Sequence, residues 1–562
     1  MATETLHPGR RIVLQLPLSD HDTVTIAVLD SATEPSPQSD QVSCAAMLVP
    51  AGEERNWIYT SEGGQWQLLA ATAFSRMIIV SRTSSENQFT THGSRDEARS
   101  SGVRSPNASN RPICLRCEDE ALKTRLRSIV VALAPRICFR TGSPIVPFVE
   151  YSDNIIHRVV VEEFFSSLTG FMVVEDVALD DLEAQSGSMF WADGEAECEH
   201  RVDDRGIRKL DQVVYRRRLR FKRMPNLIQT EVALVVPQEL RSSGMTIART
   251  GIEEGSVEEF CEEVMRGSQI DHGWLVHKYL PPIVAGLVLA APCIEPCMER
   301  GEKVKVLALG VGGGALPIFL QKQLGFHVQA VDVDKAVLDA AHRHFGLDDG
   351  VDMEVILGDA LQFVAKLAMD VRAEDATLNP SNSRLADASP KCKDRAHASA
   401  AEGEDVVAQP CNARTATGLS SSSVDICRVD GRNRHFDSHR VHAIVVDVDE
   451  GDPRCGLSSP PSSFLAHNFL SDARTVLHEG GLVAMNVVPN GAKSYHGVVS
   501  SLFSVFDDVY ETVVEGDVNR VVFALSSKGA GVNVDGPLAR LVTRFLDVRL
   551  IREIQKAHHI QV

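Results

Sequence analysis

Residues 304–334 read VKVLALGVGGGALPIFLQKQLGFHVQAVDVD, a pattern of strand, glycine-rich turn, helix and strand. Val304, Val306, Leu307 and Leu309 form the short apolar run of a parallel strand buried on both faces, and Gly310, Gly312, Gly313 and Gly314 follow at once. Leu316, Phe319, Leu320 and Leu324 then recur at helical spacing. Glycine is needed where the backbone bends sharply and comes close to a ligand, and free N–H groups at a helix start favour an anionic group. Asp332, 22 residues after Gly310, closes the second strand, where a carboxylate can accept from both hydroxyls of a ribose. The stretch points to an adenosine-containing cofactor, against the alternative of a structural turn that binds nothing.

Downstream the α/β rhythm continues. A helix over Lys335–Phe345 turns Val337, Leu338, Ala341 and Phe345 inward, MEVILGD (353–359) is a third strand ending in Gly358-Asp359, and Leu361, Phe363, Val364 and Leu367 open another helix. Residues 371–440, rich in Ser, Ala, Asp and Arg with few apolar runs, are expected to be a disordered surface insertion. The sheet resumes at VHAIVVDVD (441–449). A helix follows with Phe464, Leu465, Phe469, Ala473, Val476 and Leu477 on one face, stopped by Gly480-Gly481. LVAMNVV (482–488) is the fifth strand; after a helix over residues 492–506, VYETVVEG and NRVVFALS make a closing hairpin, and Leu538–Gln555 reads as an amphipathic helix. Residues 301–562 are thus one α/β domain with a Rossmann-like, seven-stranded sheet.

In such a sheet the carboxyl ends of the strands meet at one crevice. The loop of Gly310, Gly312, Gly313 and Gly314 would face the amino-acid part of the cofactor, and Asp332 would hold the ribose. Asp359 would accept from an adenine amino group, and Ala360 would offer its N–H to the ring. Asp447, Asp449 and Asp452, in DVDEGDP, remain for the substrate side.

The first half of the chain has a different texture. Residues 10–82 alternate short β-like runs (RRIVLQLPL, TVTIAVLD, CAAMLVPAG, NWIYT, SRMIIVSR) with turns, and Trp57, Tyr59, Trp66, Leu68 and Leu69 are expected to share a small core. Residues 83–112 are Ser-, Arg-, Asn- and Gly-rich and read as a disordered linker. An amphipathic helix over Glu118–Leu133 precedes four strands: PIVPFVEY, HRVVVEEFFSS, GFMVVEDV and VVYRRRLRFKR. In the last of these Tyr215, Leu219 and Phe221 alternate with Arg216, Arg218, Arg220 and Lys222. That basic face is read as a solvated sheet face or charged edge rather than a site for RNA or an acidic partner. Residues 1–245 make a β-rich accessory domain. Residues 246–300 make a helical bridge ending in a lid segment, IDHGWLVHKYLPPIVAGLVLAA, whose His277 is read as structural rather than as a catalytic base.

The bulk properties narrow the function classes. The composition is that of a soluble globular protein, and a formal net charge of −19 argues against a general nucleic-acid binder. Twelve scattered cysteines fit a reducing compartment. Cys114 and Cys117, and Cys293 and Cys297, lack a second pair at zinc spacing, so no metal site is expected. The N-terminus lacks the apolar core of a secretory signal, and no uninterrupted apolar run reaches the roughly 18 residues of a membrane span. A cytoplasmic protein is the expectation.

The order of glycine-rich turn, acid closing strand two, Gly-Asp after strand three, acid after strand four and terminal hairpin resembles that of Class I S-adenosylmethionine-dependent methyltransferases. The VxxLGxGGG, VDxD, GDA and DP elements also resemble spermidine synthases. Five segments, at 47–64, 170–177, 215–232, 309–320 and 447–464, resemble the C-terminal part of the methyltransferase-like protein thirteen family, which methylates eukaryotic elongation factor one-alpha. That family pairs a lysine-modifying domain with one that modifies the α-amino group. With one glycine-rich motif, this chain would by resemblance keep the N-terminal amine activity, use S-adenosyl-L-methionine and act on a protein such as elongation factor one-alpha. Asp447 or Asp449 would orient the amine and accept its proton. The alternatives are a non-catalytic interaction protein on the same fold, a polyamine aminopropyltransferase, and an NAD-dependent oxidoreductase.

Overall fold

The computed structural model describes residues 5–7, 9–19, 22–31, 43–49, 59, 65–66, 68–69, 74–83, 114–115, 120–139, 144–152, 155–180, 189–192, 213–221, 224–237, 254–378, 439–449, 457–489, 492–514, 519–528, 533–556 and 558–560. The linker expected over 83–112, apart from Thr83, Trp57, Lys222 and Asp452 lie outside them, as do residues 379–438 of the expected insertion.

Strands β1 (Arg11–Ser19), β2 (Asp22–Asp30), β3 (Cys44–Leu48) and β4 (Arg76–Thr83) form a sheet in the order β1-β2-β4-β3. Helix α1 (Glu120–Leu133) buries Leu122, Leu126 and Val130 against Ile26, Val28 and Ile78 on one side of it. On the other side Tyr59, Trp66, Leu68 and Leu69 pack with Met47 and Ile79, the small core expected from the aromatic run. Tyr59 itself sits in a helical turn, not the strand that NWIYT suggests. Short strands β5 (Cys114–Leu115), β6 (Val149–Ser152) and β9 (Met189–Ala192) pair as β5-β6-β9.

A second large sheet joins β7 (Ile155–Ser166), β8 (Gly170–Asp180), β10 (Val213–Phe221), β11 (Met224–Val235) and β12 (Gln269–Leu275) in the order β12-β11-β10-β8-β7. Two expectations change here. Residues 246–300, expected to be a helical bridge and lid, do hold a helix over the acidic run, α2 (Glu254–Gly267), but the strand β12 follows it and extends this sheet before the chain turns helical again. The arginine-rich strand β10 is its middle strand, neither a charged edge nor a solvated face. Arg220 makes two 2.7 Å hydrogen bonds to Glu175, which Arg158 also approaches; Arg218 binds Glu231, and Arg217 chelates Asp176. A fully buried carboxylate such as Glu175 must have cationic partners to be tolerated, and the basic run supplies them.

The third sheet carries the expected fold. Strands β13 (Lys305–Leu309), β14 (His327–Asp332), β15 (Met353–Leu357), β16 (Val441–Val446), β18 (Leu477–Pro489), β19 (Asp508–Val513) and β20 (Arg520–Leu525) lie in the order β15-β14-β13-β16-β18-β20-β19. The first five are parallel and β20 is antiparallel to both neighbours. This is the doubly wound sheet of the Class I methyltransferase fold. Two short strands extend it: β21 (His558–His559) pairs with β19, and β17 (Leu457–Ser459) with β18. Helices α3 (Leu280–Gly286), α4 (Ala291–Glu299) and α5 (Ala315–Lys322) cover one face, and α7 (Ala360–Leu378), α8 (His467–Val476) and α9 (Ala492–Phe503) cover the other.

Three details depart from the sequence reading. The helical stretch Leu280–Glu299 is long and apolar enough to cross a membrane, although no such run was expected, and it is mostly buried against the central sheet. Helix α7 continues to Leu378, past the expected start of the insertion, because the fully buried Val371 prolongs its apolar face. The closing helix is two, α10 (Pro537–Val542) and α11 (Val548–Gln555), broken where Asp547 caps the second by accepting from Arg549 N at 2.8 Å.

Candidate active site

The glycine turn is tight because groups press on it from two sides. Gly310 has φ +87°, and a Cβ there would stand 2.0 Å from the carbonyl oxygen of Asp447. On the other side a Cβ on Gly312 or Gly313 would come within 2.7 Å of the Thr230 side chain. Thr230 belongs to β11, so the accessory sheet lies directly on the turn, and its hydroxyl accepts from Gly313 N at 2.7 Å. Val311 N and Gly312 N donate to Asp332 at 2.9 and 3.3 Å, and Gly314 N donates to the carbonyl of Val311. The donors of the turn itself are therefore spoken for, and the free N–H groups expected for an anion are left to Ala315 and Leu316, which open the helix and line the cleft. The glycines serve close approach, and the turn's donors are satisfied within the protein.

Asp332 ends β14 as expected. It accepts three backbone N–H bonds, from Val311 and Gly312 on Oδ2 and from Asp334 on Oδ1. A carboxylate has about four acceptor positions, so one remains for a ribose hydroxyl rather than two. Burial raises its pKa against the opposing effect of these hydrogen bonds. The second acid of the VDVD run is structural. Asp334 caps α6 (Lys335–Ala340) through Ala336 N and accepts the hydroxyls of Ser166 and Thr169 at 2.5 and 2.8 Å. The turn between β7 and β8 is thereby fixed beside the site.

Asp359 is exposed and caps α7, accepting from Leu361 N and Gln362 N through Oδ1; Ala360 is the first residue of that helix. Asp447 follows β16, its own N–H bound to Leu309 O at 2.9 Å. Its Oδ2 accepts from the Tyr279 hydroxyl at 3.1 Å and its Oδ1 from Asn486 Nδ2 at 3.0 Å. Asn486 is oriented in turn by Asn519, which donates to its Oδ1 at 2.7 Å. Burial raises the Asp447 pKa, while the Asn486 and Tyr279 hydrogen bonds pull it down. Asp449, two residues on, is exposed and does not line the cleft.

Between these groups lies an open cleft with about 420 Å³ of empty volume, walled by Gln229, Thr230, His277, Tyr279, Gly310 and Asp447 among others. His277 stacks on Tyr279 with ring centroids 5.6 Å apart, so the lid segment does reach the cleft. Of the residues the sequence points to, Gly310, Gly312 and Asp447 line the cleft and Asp332 is bonded to the turn behind it, whereas Gly313, Gly314, Asp359 and Ala360 are not on its wall. Tyr279 belongs to the lid segment expected there, whereas the sequence gives no hint of Gln229, Thr230 or Asn486, which come from strands far away along the chain. Among the described residues no group of His, Cys, Asp and Glu could hold a metal ion.

The strand order, the glycine turn, and acids after the second and fourth strands define the Class I methyltransferase fold. Known proteins narrow this. The chain is 24% identical over 503 residues to the eEF1A lysine and N-terminal methyltransferase of Bos taurus, a match over 89% of the chain and 53% of that protein. It is 24% identical to the Homo sapiens protein of the same name, over 91% of the chain and 55% of the relative. The chain thus spans about half the length of the curated relatives it matches. Among solved structures, human methyltransferase-like protein 13 in complex with SAH matches 51% of this chain and 95% of its own, at 20% identity and a TM-score of 0.31. No family model matches the chain.

Proposed function

We propose that the chain is an S-adenosyl-L-methionine-dependent methyltransferase acting on the N-terminal α-amine of a protein such as elongation factor one-alpha. The observation that carries the reading is Asp447, a buried carboxylate on the wall of the cleft, with each oxygen held by a side chain from a different element. The names of the relatives supply the substrate class.

The residues present fit the cofactor. Asp332 has one acceptor position for the ribose, Asp359 and Ala360 stand at the next strand end for the adenine, and the cleft wall offers Asp447. When bound, the cofactor supplies an electrophilic methyl group on a sulfonium. The protein's part is to present a neutral amine. An α-amine titrates near pH 8, against about 10.4 for lysine, so a useful fraction is neutral at cell pH. Tyr279 and Asn486 fix the Asp447 carboxylate, and burial raises its proton affinity. It can then orient the amine's N–H and accept its proton, directly or through water. Alignment of this kind supplies much of the rate in group transfer.

Incubation of the purified chain with labelled S-adenosylmethionine and elongation factor one-alpha bearing a free N-terminus, followed by peptide mass spectrometry, tests the reading. Label on the α-amine, abolished in Asp332→Ala, is the expected result. Cofactor binding without transfer would point to another amine substrate. No binding at all would favour the non-catalytic alternative.

A further inference from the structure

Acceptors make up part of the polar lining of the cleft. The donors of the glycine turn are consumed by Asp332, Thr230 and the Val311 carbonyl. Acceptors remain, and one of them lacks a donor. Gln229, next to Thr230 on β11, lines the cleft, and its Oε1 is buried with no hydrogen bond among the described residues. Its Nε2 lies 3.6 Å from where a Cβ on Gly312 would stand, which places the amide against the glycine turn. A buried carbonyl oxygen without a partner is destabilising. In an open cleft that cost is removed when a ligand brings the donor. A wall made of the Gln229 carbonyl and the Asp447 carboxylate suits a ligand that presents N–H groups, with or without positive charge.

We propose that Gln229 is a recognition residue of this cleft, its side-chain carbonyl accepting an N–H from an amine. The inference rests on the methyl-transfer reading and adds to it that the accessory sheet supplies the specificity. Two amines have the required chemistry: the α-ammonium of the cofactor's amino-acid end, and the α-amine of the protein substrate.

Calorimetric titration of the full chain separates them, with S-adenosylhomocysteine and 5′-methylthioadenosine as probes; the second keeps the nucleoside and sulfur but lacks the amino-acid end. Gln229→Leu removes the acceptor at similar size, Gln229→Glu keeps it, and melting curves check that both fold. If the amine is the cofactor's, Gln229→Leu weakens S-adenosylhomocysteine about tenfold or more. Methylthioadenosine is then unchanged and Gln229→Glu binds at least as well as wild type. If the amine is the substrate's, both probes bind normally and KM for a peptide with a free amino terminus rises about tenfold at unchanged kcat. Equal weakening of both probes in Gln229→Leu, or no change in either probe or in KM, overturns the proposal. Failure of wild type to bind either probe overturns the methyltransferase reading itself.

Discussion

Asp447 makes two demands on its surroundings, one through its carbonyl and one through its carboxylate. The carbonyl leaves no room for a side chain on Gly310, whose backbone is also left-handed. Gly310→Ala should therefore cost on the order of 2 kcal/mol or more, read as a lowered melting temperature together with lost cofactor binding. The carboxylate predicts a different signature. Asp447→Asn keeps the shape and should leave S-adenosylhomocysteine affinity within a few-fold, while kcat falls by about 10²-fold, the lower end for a lost proton acceptor. Because burial raises its pKa, the acid limb of the wild-type pH–rate profile should lie above the ordinary carboxylate range. A limb inside that range would remove Asp447 from the base role. The carboxylate's place was legible in the sequence, since an acid after the fourth strand of such a sheet falls at the crevice. Its partners were not. Tyr279 lies 168 residues away and Asn486 lies 39 away, and nothing in local pattern encodes those meetings.

At the scale of elements, the sequence was most readable where the period was strongest. The parallel strands and their helices follow from runs such as Val441–Val446, buried at every position. Strand β10 shows the limit: its alternation was plain, but its central place and its acidic neighbours are tertiary facts. Its ion pairs are testable. Glu175→Gln leaves Arg220 and Arg158 buried beside an uncharged amide and should cost about 3–5 kcal/mol in denaturant unfolding. The β7–β8 turn is held by another acid. Asp334→Ala removes a helix cap and two hydroxyl acceptors, and should lower local stability by about 2–4 kcal/mol. Amide exchange would report it as faster exchange in the Ser166–Gly170 turn and at the start of α6, with β13 unaffected.

For the whole molecule, histidines held below their ordinary pKa by burial shape the response to acid, His442 among them. His442 lies against the tilted ring of His478, with centroids 4.6 Å apart, and accepts from Lys305 N at 3.0 Å. Burial pushes its pKa down to about 4, and that of His478 downward as well. The folded state thus binds fewer protons than the unfolded chain below its ordinary histidine pKa of about 6.5. Stability should fall as pH drops from there toward about 4, and a conservative replacement of His442 should flatten that part of the curve. Residues 379–438 offer a second test. The chain leaves at the end of α7 and returns at β16, where Glu374 meets His439 and Arg440 binds Asp375 at 2.7 Å. Replacing 379–438 by a short flexible linker should therefore leave the melting temperature within a few degrees and cofactor affinity unchanged. The contact of Thr230 with Gly313 has a consequence of another kind. A hydrogen bond that spans two sheets makes them thermodynamic partners, and influence between partners is reciprocal. Occupation of the cleft must then slow the opening of β11, and any protein that grips β11 from outside must change, by the same factor, how tightly the cleft holds its ligand.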